Sequence, residues 1–153
     1  MRTLVVTTIL VLSFTGHALA QEHARAVASD AVEFKPGPSA LPKGAQWAVL
    51  AGDPSKPRPY VIRLKFPAGF KVAPHFHPNH EAVTVIAGEF NLGQGDKLDE
   101  KSAQKLSQGG FIDVPAKHHH YAFTTANTVI QVNSEGPSGI TYVNPADDPR
   151  KSQ

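Results

Sequence analysis

The segment Tyr60-Val-Ile-Arg-Leu-Lys-Phe66 alternates without a break: Tyr60, Ile62, Leu64 and Phe66 fall on one side, Val61, Arg63 and Lys65 on the other. A period of two is the mark of a strand with one buried and one wet face. Short apolar runs continue the theme at Trp47–Leu50, Val72–Phe76, Ala82–Ile86, Glu89–Leu92, Phe111–Val114, Tyr121–Thr124, Val129–Val132 and Ile140–Val143. Turn-forming clusters separate them at Pro67-Ala-Gly69, Ala87-Gly88, Gly109-Gly110 and Glu135-Gly-Pro137. With 13 Pro and 12 Gly among 153 residues, punctuation this dense favours short strands over long helices. The expected fold is all-β, a sandwich or small barrel over 46–143. One departure is Asp99–Leu106 (DEKSAQKL), whose composition predicts a short helical insert with a solvated surface.

Outside this region the chain changes character. Residues 1–20 carry Arg2, an apolar run from Leu4 to Phe14 and a small-x-small site at Ala18-Leu19-Ala20. That layout reads as a secretory signal peptide cleaved near Ala20, which places the protein in the periplasm or outside the cell, with no membrane contact in its mature form. Residues 21–45 form an N-terminal lead-in, its Ala-rich first part mobile or briefly helical. Residues 144–153 (NPADDPRKSQ) form a polar tail expected to be loosely held. The absence of cysteine excludes disulfides, thiolate metal sites and thiol nucleophiles. Fifteen basic against 13 acidic side chains, spread singly, give no electrostatic footprint for nucleic acid.

Histidine is distributed unevenly: six of the eight lie in two groups, His75/His77/His80 and His118/His119/His120. On an extended segment His75 and His77 share a face, and Glu81 returns to it if the pairing stays regular. Two imidazoles and a carboxylate can then converge, with a fourth ligand supplied by the second group after Pro115. Parity puts His118 and His120 on one face and His119 on the other.

These residues also resemble a known pattern. Gly69-x5-His75-x-His77-x3-Glu81-x6-Gly88 matches the first motif of the cupin superfamily at every defined position. The second motif is partial: Gly109 and Pro115 are in place, Lys117 stands where Gly is usual, His120 fills the histidine position, and Thr124 replaces Asn. The chain thus resembles a small exported single-domain cupin. The resemblance implies a jelly-roll β-barrel holding one divalent transition metal (Mn, Fe, Ni, Cu, Co or Zn) on His75, His77, Glu81 and His120. His118 is the substitute for His120. Lys117 costs little if its φ stays negative.

Two function classes follow from that ligand set. In the first, four protein ligands on an octahedral metal leave two positions for a chelating small-molecule substrate, and the chemistry is that of an oxidoreductase of the dioxygenase or oxidase type. In the second, the chain binds or senses a metal or small ligand without catalysis, as closed tetrahedral zinc would require. No general base stands out. His80 reads as a solvated loop histidine or a proton shuttle, and Gln131 as a cavity or outward-facing amide. Thr84 and Ile86, opposite Val83 and Val85, are the candidate patch for pairing into a homodimer.

Overall fold

The structure, a computed structural model, describes residues 24–151; the segment 1–20 read above as a signal peptide lies outside them. Among the described residues there are eleven strands: β1 (Lys35–Pro36), β2 (Gln46–Ala51), β3 (Pro59–Phe66), β4 (Lys71–Phe76), β5 (Glu81–Ala87), β6 (Glu89–Gln94), β7 (Gln104–Ser107), β8 (Phe111–Val114), β9 (His120–Thr124), β10 (Thr128–Glu135) and β11 (Thr141–Tyr142). They form two antiparallel sheets, ordered β1-β2-β3-β10-β5-β8 and β11-β4-β9-β6-β7. This is the jelly-roll arrangement. Among the described residues helix is confined to three short 3-10 turns, and none of these is long and apolar enough to cross a membrane.

The alternation at 60–66 translates directly into packing. Tyr60, Ile62 and Phe66 are buried, while Lys65 is exposed. They join Val72, Val83, Val85, Phe90, Leu92, Ile130 and Val132 from both sheets in one core. Phe66 stacks on Phe70 at 4.7 Å between ring centroids. Each such side chain contributes roughly 1.5–3 kcal/mol by leaving water, so the facing sheets are held mainly by this layer.

The helical insert expected at 99–106 does not form. Asp99–Ser102 is a turn in which the Asp99 carboxylate accepts the Lys101 N–H at 3.0 Å, and residues 104–107 become β7, paired to β6 with Leu106 opposite Phe90. Ladder bonds and the packing of Leu106 against the core outweigh a modest helical preference. The turn covers the outer side of β9, where the Tyr121 hydroxyl donates to the Asp99 carbonyl at 2.7 Å. Tyr121 is completely buried as a result.

The ends are also more tightly engaged than their composition suggests. Within the lead-in, Lys35 pairs with Trp47, and the Ala40 carbonyl accepts the Tyr142 hydroxyl at 2.8 Å. In the tail, Asn144 caps the 3-10 turn Pro145–Asp147, and Arg150 Nη2 donates to the Ile140 carbonyl at 3.3 Å. The loosely held tail is therefore corrected to a docked one through residue 150. Main-chain carbonyls supply the anchors, and residue types alone do not reveal them.

Candidate metal centre

His75 lies on β4, His77 just beyond its end, and His120 opens β9, directly opposite His75 in the ladder. A bulge in β4 turns His75 inward. Between Val72, paired with Ala122, and His75, paired with His120, β4 carries one more residue than β9. Val72 faces the core, so strict alternation would turn Pro74 inward and His75 outward; the extra residue reverses the parity. Pro74, with no N–H to donate to a ladder, sits within this irregular stretch.

Glu81 arrives by a route that strand parity did not describe. The chain leaves β4 at Phe76 and enters β5, in the opposite sheet, at Glu81. The connecting turn is pinned by Asn79 Nδ2, which donates to the carbonyls of Glu135 (2.7 Å) and Pro137 (3.2 Å). Glu81 therefore faces the histidines from across the two sheets, not from further along one strand.

The three imidazoles His75, His77 and His120 offer one ligand atom each, all within 4.8 Å of one another. Their ring centroids are 4.2 to 5.3 Å apart. Each Nδ1 is tied to a backbone carbonyl: His75 to Ala73 at 2.7 Å, His77 to Gly139 at 2.7 Å, His120 to His118 at 2.9 Å. A carbonyl only accepts, so each Nδ1 carries the proton. In the neutral ring each Nε2 then presents a lone pair. That is how ligating histidines are commonly oriented by the groups behind them. The Glu81 carboxylate lies 3.5 Å from His77 Nε2, a contact at the edge of the histidine group.

Electrostatics favour the same state. Burial pushes His75 well below the usual imidazole range, reinforced by His120 and His77 and opposed by the Ala73 carbonyl. Burial likewise lowers His77, and it brings His120 down to about 4. Desolvation raises Glu81 to about 7, with His80 acting the other way. Three neutral imidazoles this close together form a nitrogen donor set that suits a divalent transition metal, while Glu81 falls outside that group and touches it only at His77. The donors fit the group.

The other described histidines, His80, His118 and His119, stand outside the cluster. His80 is exposed and paired with Asp113. His119 binds Asp96 through Nδ1 at 2.5 Å and stacks on Phe76. His118 contributes its carbonyl to His120. Gln131 accepts from Arg63 Nε at 3.3 Å on the outer face of the sheet, which removes it from the cavity. Thr124, only 2% exposed, donates to the Pro67 carbonyl at 2.6 Å and serves as a structural tie. Lys117 departs from expectation: its φ is 61°, the left-handed conformation that glycine adopts freely.

Above the histidines is a cavity of about 270 Å³ with apolar walls that include Trp47, Ile62, Phe66, Phe90 and Leu92. Residues from both chain ends complete it, among them Leu41 and Arg150. Sequence reasoning missed Arg150, because nothing in a charged tail signals where its backbone docks.

No known family model and no curated protein matches the sequence. Solved structures do match. The polyketide cyclase RemF from Streptomyces resistomycificus superposes with a TM-score of 0.69 at 17% identity, covering 84% of this chain and 92% of that one. An acetylacetone dioxygenase candidate from Methylibium petroleiphilum gives 0.64 at 20% identity, covering 87% and 90%. An RmlC-like cupin from Shewanella frigidimarina gives 0.56 at 18% identity, covering 72% and 90%. The likeness shows the fold: this chain shares the jelly roll of these structures, the RmlC-like cupin among them.

Proposed function

We propose that the protein is a metal-dependent cupin acting on a small organic molecule, with one divalent transition metal held by His75, His77, His120 and Glu81. The observation that carries this reading is the set of three Nδ1-to-carbonyl bonds, which leaves three lone pairs in one tight group. Buried polar groups arranged without a purpose of this kind are costly.

When bound, the metal supplies Lewis-acid polarisation and, if redox-active, a place for oxidation chemistry. The chain does the rest. Its carbonyls fix the imidazole orientations, Glu81 supplies negative charge once deprotonated, and the apolar walls exclude water from a bound substrate. An oxidoreductase of the dioxygenase or oxidase type is the finer reading, supported by the fold-level likeness to the acetylacetone dioxygenase candidate.

The test is oxygen consumption by protein loaded anaerobically with Fe(II) or Mn(II), across β-diketones, small carboxylic acids and phenols. Substrate-dependent uptake that disappears in His75→Ala supports the reading. No turnover of any of these by fully loaded protein contradicts it, and leaves binding or sensing as the role. We also read the chain as exported; a mature N-terminus near Gln21 after expression with residues 1–20 tests this.

A further inference from the structure

We propose that Arg150 makes this cavity a receptor for an organic acid, with the ligand's carboxylate at the mouth and its apolar body against the inner walls. The inference deepens the small-molecule reading above and rests on it for the cavity being a substrate site. Among the described residues, Arg150 is the only Lys or Arg lining the cavity. Its side chain is 45% exposed, so the guanidinium stands where cavity and solvent meet.

The donor count shows what is left for a ligand. Nε donates to Asp148 Oδ1 at 2.7 Å, and Nη2 donates to Asp148 Oδ2 at 2.7 Å and to the Ile140 carbonyl at 3.3 Å. Those bonds use every hydrogen on Nε and Nη2. Nη1 has no hydrogen-bond partner among the described residues, so two N–H donors remain available on a guanidinium already fixed in place.

Holding the fork beforehand matters because a loose arginine must lose side-chain entropy to bind. The anchor is local to the centre. Ile140 adjoins Gly139, whose carbonyl holds His77, and Ser138 lines the same wall. A ligand that meets Arg150 therefore lies along the segment that orients one of the three imidazoles.

Calorimetric titration with 4-phenylbutanoate and its neutral counterpart 4-phenylbutanamide tests the proposal. Wild type and Arg150→Gln are each measured zinc-loaded and chelator-treated. The expected result is a preference for the carboxylate of about tenfold in wild type, present in both metal states and absent in Arg150→Gln, with zinc content unchanged by the substitution. A preference that survives Arg150→Gln and needs zinc places the carboxylate on the metal and overturns the proposal. So does equal binding of acid and amide by wild type, or binding of neither. Should the protein hold no zinc at all, the metal reading fails separately, and the chelator-treated titrations still decide the role of Arg150.

Discussion

The backbone N–H of Lys117 donates a 2.8 Å hydrogen bond to the carbonyl of His77, and Lys117 makes it from a left-handed conformation. The turn before β9 is thereby fastened to the end of β4, and His120 follows three residues later. Lys117 is the one non-glycine residue with positive φ among those described.

A side chain in that conformation costs about 1 kcal/mol, part of which glycine returns through the flexibility of the unfolded chain. Lys117→Gly is expected to raise stability by about 0.5 kcal/mol, or 1–3 °C in melting temperature. Lys117→Val should lower it, because a β-branched residue fits this region worst. Thermal melts of the three proteins in chelator check the order; Gly below Lys would contradict the strain.

Glu81 supplies a prediction with a pH signature in chelator-treated protein. Its folded value is raised to about 7 by desolvation. Between its ordinary value and 7 the folded protein binds more protons than the unfolded chain, so the stability this gives is lost as pH rises through that window. His75, His77 and His120 have lowered values and act oppositely: stability falls as pH drops below the ordinary imidazole range. Glu81→Gln should therefore stabilise the metal-free protein at pH 8, by at most about 3 kcal/mol, and give no gain at pH 4. Denaturant titrations at both pH values read this out. In metal-loaded protein the same substitution should destabilise, since it removes a ligand.

Gly93 lies opposite Tyr121 in the β6–β9 ladder, and a Cβ added there would meet Tyr121 Cζ at 2.0 Å. Tyr121 cannot move aside easily, because it is fully buried and its hydroxyl is held by Asp99. Gly93→Ala should cost about 3 kcal/mol by equilibrium unfolding. A cost under about 1 kcal/mol would mean that the register of this strand pair differs from the one described.

Side-chain pattern carried much of the fold and the centre of the site. The 60–66 alternation placed Tyr60, Ile62 and Phe66 in the core, and the HxH spacing put His75 and His77 on one face. What escaped the pattern is backbone-dependent. The bulge that turns His75 inward depends on pairing with β9, and a single strand's residues do not encode their partner's count. The carbonyls of Ala73, Gly139 and His118 that orient the rings are chemically identical to every other carbonyl. Residues 104–107 have no strong strand signature and become one through pairing with β6. Arg150 and Leu41 reach the cavity because the chain ends dock there, a tertiary event without local periodicity.

Elemental analysis of untagged protein puts the three-histidine centre at risk most directly. Wild type, His77→Ala and His119→Ala are purified in parallel and their transition-metal content measured per chain. One ion per chain is expected in wild type and in His119→Ala, whose ring is engaged with Asp96 and Phe76, with loss of most of it in His77→Ala. Wild type without metal after supplementation with Mn, Fe, Co, Ni, Cu or Zn, or equal content in wild type and His77→Ala, would contradict the three-histidine centre.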